Sequence, residues 1–223
     1  NGRADVDQDR REVRLHEPWV PAERLLAQPQ DALWQRRLSR QSGERWLTVA
    51  RLVPHKGHLE ALDALAAYRA RGHEARLWLV GDTLTRPDFT RLLERRVLTL
   101  GLADCVHLCG LVSLSALAAH YRLADRFLLL STHEGFCLPA IEAMAFGLPL
   151  VTSDGGALPT TVGEGGTVLS TRDPQTVVAA MERFANDPRH LAELREKQRL
   201  RVASLSREAA KARLRELYVH LAN

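Results

Sequence analysis

Cysteine is scarce in this sequence, and long apolar runs are absent. Three cysteines (Cys105, Cys109 and Cys137) form an odd, sparse set, which argues against a disulfide-stabilised secreted domain and favours a reducing compartment. No stretch reaches the roughly 18–20 apolar residues of a membrane-spanning helix, and residues 1–18 lack the apolar core of a signal peptide. We therefore expect a cytoplasmic protein. Since the chain does not begin with Met, we also expect a fragment or a processed chain.

A strong charge imbalance is also missing. The net charge of +4 over 223 residues permits anionic ligands such as phosphates, but it is too small to indicate a nucleic-acid partner. Apolar residues at 45% and charged residues at 26% are ordinary globular values, which argues against wholesale disorder. The sequence shows no internal repeat and no low-complexity tract.

Apolar runs alternate with segments of helical periodicity from residue 45 onward. The runs predict strands at RWLTVA (45–50), ARLWLVG (75–81), CVHLCG (105–110), RFLLLS (126–131), LPLVTS (148–153) and GTVLS (166–170). Strands that are apolar on both faces and separated by helices indicate a parallel sheet covered on both sides. The predicted fold class is therefore α/β, a Rossmann-like, doubly wound parallel sheet with a helical C-terminal tail.

The helical segments set the predicted organisation. Between the strands we expect helices at 58–72, 88–101, 113–124 and 139–147, and after Pro174 at 174–187, 188–203 and 206–222. The predicted parts of the chain are a linker or arm with helical pieces interrupted at Pro29 (1–44), a ligand-binding domain (45–190) and a helical tail (191–223).

The loop after the first predicted strand carries two cations. Arg51 and Lys56 flank a proline-containing loop, VARLVPHKGH, that leads into a helix near His58. A guanidinium and an ammonium beside a helix N-terminus suit a diphosphate, because ligands of open parallel sheets bind beyond the carboxyl ends of the strands. The alternative is a solvated loop with ordinary surface cations.

A second loop, STHEGFCLPAIE, follows the strand at 126–131. Glu134 lies on this loop and Glu142 lies about one turn into the next helix, so both carboxylates can face one pocket. Carboxylates accept hydrogen bonds in pairs, which suits the hydroxyls of a sugar or a ribose. The alternative is that Glu134 caps the helix and Glu142 is a buried, satisfied carboxylate.

The segments VARLVPHKG, VGD and THEGFCLPAIEAMAFGLPLVTSDGG, in this order and with the E-x7-E spacing, resemble a known family. Residues 45–190 are similar to the C-terminal, nucleotide-sugar-binding half of a GT-B glycosyltransferase, in the retaining group called family 4 or glycosyltransferase group 1. No G-x-G-x-x-G follows the first strand, which counts against an NAD-binding domain.

The resemblance implies a role for each charged residue. As catalytic residues, Arg51 and Lys56 would stabilise the donor diphosphate as leaving group, and Glu134 would hold hydroxyls of the donor sugar. Glu142 would hold the ribose hydroxyls. No metal and no prosthetic group is implied, since the two cations can do the electrostatic work of a metal ion.

The backbone of the second loop is implied in donor binding. Gly135 would let the chain approach the ligand closely, while Phe136, Cys137 and Leu138 would contact phosphate and sugar. The family usually has Gly where this chain has Ala50 and Cys137. A side chain at 137 should narrow the sugar pocket or shift the backbone, so the sugar is left open, and a small space-filler is favoured over a nucleophilic thiol.

The resemblance also implies partners. The donor is a UDP-, GDP- or ADP-sugar, and the acceptor is a carbohydrate or a lipid-linked molecule bound through an N-terminal domain that this sequence lacks, so the isolated domain should transfer little or nothing. The alternatives are a non-catalytic nucleotide-sugar binding module and a GT-B phosphorylase or epimerase. The Arg-rich tail (195–217) leaves open a peripheral contact with the inner face of the membrane, against the simpler interpretation of a solvated helix face.

Two further residue patterns allow sharper interpretations. Cys105, His107 and Cys109 alternate along one strand, but they lack a fourth zinc ligand, and packing is the favoured interpretation. The histidines near the predicted pocket (His55, His58 and His133) could touch phosphate or sugar, but are more often plain loop or helix residues.

Overall fold

The computed structural model describes residues 22–40 and 42–222, in which six strands form one sheet. All pairs are parallel, in the order β3-β2-β1-β4-β5-β6. The strands are β1 (Glu44–Val49), β2 (Ala75–Val80), β3 (Val106–Gly110), β4 (Arg126–Leu129), β5 (Leu150–Ser153) and β6 (Thr167–Leu169). The predicted fold class and all six predicted strands are confirmed. Residues 1–21 of the predicted linker or arm (1–44) lie outside the described residues.

The sheet is buried on both faces. In β1, Trp46 belongs to one apolar cluster and Leu47 to the other, and Leu77 and Trp78 divide in the same way in β2. Because successive side chains of a strand point to opposite faces, a continuous apolar run supplies both clusters at once. This is why these strands read as unbroken apolar runs in the sequence.

Helices cover both faces. Within the described residues they are α1 (Ala22–Leu26), α2 (Ala32–Ser39), α3 (His58–Ala70), α4 (Pro87–Thr99), α5 (Leu114–Leu123), α6 (Leu138–Ala145), α7 (Leu158–Val162), α8 (Pro174–Asn186), α9 (Pro188–Ser204) and α10 (Arg207–Ala222). Every predicted helix is present. The five-residue α7 was not predicted, because so short a segment shows no helical period.

Helix α9 packs onto the body of the molecule through polar contacts. The buried amide of Gln198 donates from Nε2 to the carbonyls of Leu148 at 2.8 Å and Gly165 at 3.0 Å. Arg201 donates to the carbonyls of Thr160 and Thr161 at 2.8 and 2.9 Å. Part of the arginine-rich tail therefore binds backbone carbonyls of the chain itself.

The order of the strands determines where the sheet has a crevice. The connection after β1 leads to β2 on one side, whereas the connection after β4 leads to β5 on the other side. The two loops therefore diverge from neighbouring strands and leave a crevice at the carboxyl ends of β1 and β4, which is where doubly wound sheets bind their ligands.

Candidate functional site

The loops after β1 and β4 meet at this crevice through backbone contacts. A 3-10 turn, Pro54–Lys56, follows β1, and Gly57 closes it with φ +72°. A Cβ at Gly57 would lie 2.1 Å from the carbonyl oxygen of Leu130, and the amide of Thr132 donates to the carbonyl of His55 at 2.8 Å. Glycine is therefore required here both by the backbone angle and by the close approach of the two loops.

Arg51 stands at the open side of the crevice. Its side chain is exposed, and its guanidinium has no hydrogen-bond or ion-pair partner among the residues described. Together with Gly81, Leu111 and Pro139 it lines a cleft of about 240 Å³ across the ends of β1, β2 and β3. The first predicted cation is thus available to a ligand.

Lys56 and Glu134 form a shielded ion pair across the two loops. The Lys56 Nζ lies 2.6 Å from Glu134 Oε1, and the two side chains are only 13% and 8% exposed. The same Oε1 accepts the hydroxyl of buried Ser131 at 2.7 Å. Within the described part of the chain, Glu134 Oε2 has no partner, and this oxygen is not fully buried. One oxygen holds the carboxylate in place, and the other faces solvent.

Glu142 is held in the same manner. The hydroxyl of fully buried Tyr121, on α5, donates to Glu142 Oε2 at 2.8 Å, while no described residue pairs with Oε1. Burial raises the pKa of Glu142, and the hydrogen bond from Tyr121 acts against that rise. Burial, followed by the charge of Glu142, raises the pKa of Tyr121 well above its usual value, so the phenol remains a donor.

Helix α6 presents unpaired amides to the crevice. The backbone N–H groups of Phe136, Cys137 and Leu138 donate to no acceptor among the residues described. The carboxylate of Glu134 binds Lys56 and Ser131 and no amide of α6 among the described residues, so the alternative that Glu134 caps this helix is wrong. Unpaired amides at the positive end of a helix dipole attract anions.

Cys137 has an unusual backbone conformation. Its φ of 47° and ψ of 70° make it the one non-glycine residue with positive φ in the described chain. Its side chain is 7% exposed and packs within the apolar cluster beneath α6. Burial, and after it the carboxylate of Glu134, raises the pKa of the Cys137 thiol to about 12. The thiol therefore stays protonated near neutral pH, in accord with a space-filling role rather than a nucleophilic one.

The remaining predicted contact residues surround this helix start. Gly135 is exposed, and a Cβ built on it would meet nothing within 4 Å, so its backbone is open to a ligand. Phe136 packs partly against the apolar cluster, and Leu138 is 46% exposed as the first residue of α6. The side chain of Phe136 thus anchors the loop and leaves its amide free.

The histidines and cysteines differ in their surroundings. His55 and His133 are exposed, whereas His58 is 1% exposed and its Nε2 lies 2.9 Å from the carbonyl of Arg51. Cys105 and Cys109 are free thiols. Among the described residues, no group of three or more His, Cys, Asp or Glu side chains is arranged to hold a metal ion.

The structure brings the predicted residues of both loops to one edge of the sheet. Sequence reasoning missed two partners, Ser131 and Tyr121, which orient Glu134 and Glu142. Tyr121 lies 21 residues from Glu142 and on a different helix, so no local spacing links them. Ser131 follows β4, and its role in orienting Glu134 becomes visible only through the hydrogen bond between the two side chains.

The fold is the Rossmann-like α/β architecture that forms one half of GT-B glycosyltransferases. The family comparison agrees: residues 31–201 match the model of the glycosyl transferases group 1, and the chain belongs to that family.

Among curated proteins, the chain is 40% identical to mannosylfructose-phosphate synthase of Agrobacterium fabrum over 119 residues, which cover 51% of this chain and 26% of the relative. It is 35% identical to MMP alpha-(1->4)-mannosyltransferase of Mycolicibacterium hassiacum over 156 residues, or 69% of this chain and 37% of the relative. The chain thus spans between about a quarter and two fifths of the length of these two relatives.

Solved structures are similar over most of the chain. Sucrose-phosphate synthase from Thermosynechococcus elongatus superposes with a TM-score of 0.70 at 29% identity, covering 88% of this chain and 50% of that one. HepE from Anabaena, in complex with UDP-glucose, gives a TM-score of 0.70 at 21% identity, covering 84% of this chain and 54% of that one. No helix within residues 22–40 and 42–222 is long and apolar enough to span a membrane.

Proposed function

We propose that this chain is the donor-binding part of a retaining glycosyltransferase that moves a sugar from a nucleoside diphosphate sugar to an acceptor. The observation that carries the proposal is the joint placement of Arg51, three unpaired amides and two half-occupied carboxylates at one edge of the sheet. Family membership and the UDP-glucose bound to the Anabaena neighbour support the choice of donor class.

The diphosphate would lie between Arg51, Lys56 and the start of α6. Arg51 has no competing partner among the described residues, so its planar guanidinium can bind two phosphate oxygens. The ammonium of Lys56 has three donors, and its ion pair with Glu134 uses one of them. The amides of Phe136, Cys137 and Leu138 would supply further donors without any added charge.

The two sugars of the donor would lie at either end of the diphosphate. Glu134 Oε2 would accept hydroxyls of the transferred sugar, and Glu142 Oε1 would accept those of the ribose. Neither of these oxygens has a partner among the described residues, while the other oxygen of each carboxylate is bound, in Glu134 to Lys56 and Ser131 and in Glu142 to Tyr121. Pre-oriented acceptors cost little reorganisation when the ligand binds.

In the transfer step, the bond between the anomeric carbon and the β-phosphate oxygen breaks, and the acceptor oxygen bonds to that carbon on the same face. The acceptor proton passes to a phosphate oxygen of the leaving diphosphate, so the step balances without another base. Arg51, Lys56 and the α6 amides would stabilise the charge that develops on the diphosphate, which is where electrostatic catalysis acts most strongly.

A thermal-shift screen of UDP-glucose, GDP-mannose and ADP-glucose tests donor binding. A bound donor raises the unfolding midpoint by mass action. At a donor concentration of one hundred times Kd, the free energy of unfolding increases by about 2.7 kcal/mol. We expect one nucleotide class to raise the midpoint clearly above the others. If no nucleotide sugar raises it at millimolar concentration, this chain does not bind a donor by itself.

Replacing Glu142 tests the ribose assignment. We expect Glu142→Ala to weaken the matching nucleoside diphosphate by roughly ten- to a hundredfold, because a charged acceptor of hydrogen bonds contributes about 1.5–3 kcal/mol. Inorganic pyrophosphate, which has no ribose, is the control ligand, and its affinity should not change. Equal losses for both ligands would contradict the assignment.

Transfer needs a second test, since the chain spans only part of its relatives. A protein in which this chain is joined to an acceptor-binding domain should form a glycosidic bond with the donor's anomeric configuration, measured by proton NMR. The isolated chain should bind donor but transfer little, because closing a cleft positions the acceptor and excludes water. A longer protein that binds donor but never transfers would instead indicate a non-catalytic binding module.

A further inference from the structure

The loop that carries Arg51 and Lys56 is short and has few backbone bonds of its own. The amide of Val53 donates to the carbonyl of Arg51 at 2.9 Å, and the amide of Lys56 donates to the carbonyl of Val53 at 3.1 Å. One side-chain contact completes the arrangement: Nε2 of His58 lies 2.9 Å from the same Arg51 carbonyl. The Arg51 peptide is therefore held from two directions.

His58 can make this contact in one tautomer only. A carbonyl oxygen accepts, so the ring must carry its proton on Nε2 and donate it. Nδ1 is buried and has no partner among the described residues, and the ring is 1% exposed. A histidine enclosed in this way acts as a fixed donor, since it can neither turn to solvent nor take a second proton cheaply.

The geometry points to His58 as the positioning residue of the phosphate-binding loop. By donating to the Arg51 carbonyl from the first turn of α3, it fixes the peptide from which the Arg51 side chain departs and on which the Pro54–Lys56 turn is built. His58 itself touches no substrate in this account. The inference rests on the proposed function, because it assigns His58 to the loop that would bind the donor diphosphate.

Glutamine and methionine form a matched pair of substitutions at this position. Both are unbranched and similar in length, and the Nε2 of glutamine is separated from Cβ by the same number of bonds as the Nε2 of histidine. Glutamine keeps a donor that can reach the Arg51 carbonyl, whereas methionine fills the space beside Phe89 without one. Loss of the donor can therefore be separated from loss of packing.

Amide hydrogen exchange, measured on the 223-residue chain without ligand, is the first readout. We expect His58→Met to speed exchange at Val53 and Lys56 by roughly tenfold or more, because the loop then opens more easily. His58→Gln should keep exchange within about threefold of the wild type. Equal acceleration in both variants, or none in the methionine variant, would overturn the inference.

Calorimetry is the second readout, with UDP, GDP and ADP each compared with its nucleoside. For the nucleotide that binds, His58→Met should raise the Kd of the diphosphate about tenfold and leave that of the nucleoside unchanged, and His58→Gln should restore diphosphate affinity. A wild-type chain that binds while the methionine variant binds equally well would overturn the role of His58. A wild-type chain that binds none of the three would instead count against the proposed function, while the exchange result would still decide whether His58 fixes the loop.

Discussion

The residues of this site illustrate how polar groups can be fixed and available at once. Glu134 and Glu142 each use one carboxylate oxygen to bind a partner inside the protein and leave the other without a partner among the described residues. The pairing between Lys56 and Glu134 spans 78 positions, so local sequence spacing carries no sign of it. The E-x7-E spacing led us to predict that the two carboxylates serve one ligand, but only the tertiary structure shows what orients each of them.

Cys137 allows a prediction at the residue scale. In the interior of a helix or strand, replacing alanine with glycine lowers the stability of a protein by about 0.5–1 kcal/mol. At a φ of 47° this order should reverse, because a Cβ in the left-handed region costs about 1–2 kcal/mol. We expect Cys137→Gly to be more stable than Cys137→Ala by about 1 kcal/mol in urea unfolding. An alanine variant as stable as the glycine variant, or more so, would mean that the backbone here carries no strain.

At the scale of elements, the sequence predicts which strands and helices exist better than it predicts where they begin and end. The strand predicted to end at Ser131 ends at Leu129, which is the last residue of β4 that pairs with β5. Buried apolar runs and helical periods extend over many residues, so they identify a strand or a helix even when its ends are misplaced by one or two residues. The short α7 and the 3-10 turn at Pro54–Lys56 depend on local backbone angles and tertiary contacts, and periodicity does not report these.

The contact between the two loops is tested by a pair of glycine substitutions. Gly57 and Gly72 both have positive φ, but a Cβ at Gly57 would meet Leu130 at 2.1 Å, whereas a Cβ at Gly72 would meet nothing within 4 Å. Gly72→Ala should therefore cost only about 1 kcal/mol of unfolding free energy, for its backbone angle. Gly57→Ala should cost clearly more, about 3 kcal/mol or above, because the loops must separate. Equal losses would argue against close packing at Gly57.

At the scale of the whole molecule, three histidines make stability depend on pH. Burial lowers the pKa of His58, His107 and His120; nearby cations add to the effect, with Lys56 acting on His58 and Arg37 on His120. As pH falls, these histidines therefore bind protons in the unfolded chain before they do so in the folded chain. Their contribution is therefore fully present above the ordinary pKa of 6.5 and is lost as pH falls below it.

We expect the urea midpoint to fall between pH 7 and pH 5.5. Each histidine that remains neutral in the folded chain contributes at most about 1.4 kcal/mol per pH unit below its unfolded pKa. His58→Gln should reduce this dependence. The raised pKa of Glu142 acts in the opposite direction, because the folded chain then takes up a proton more readily than the unfolded chain. Stability that stays constant or rises as pH falls to 5.5 would contradict the account.

The central claim is that Arg51 and Lys56 bind the diphosphate of a nucleotide sugar, and calorimetry tests it most directly. The affinity of the nucleoside diphosphate that binds best is compared with that of its nucleoside for the wild type, for Arg51→Gln and Lys56→Gln, and for Arg95→Gln, which removes the same charge from an exposed position on α4. We expect each of the two loop substitutions to weaken the diphosphate by roughly ten- to a hundredfold while the nucleoside changes less than twofold, since charge-assisted hydrogen bonds contribute about 1.5–3 kcal/mol. Arg95→Gln should change neither ligand. Equal losses for diphosphate and nucleoside, or a loop variant that behaves like Arg95→Gln, would contradict the claim.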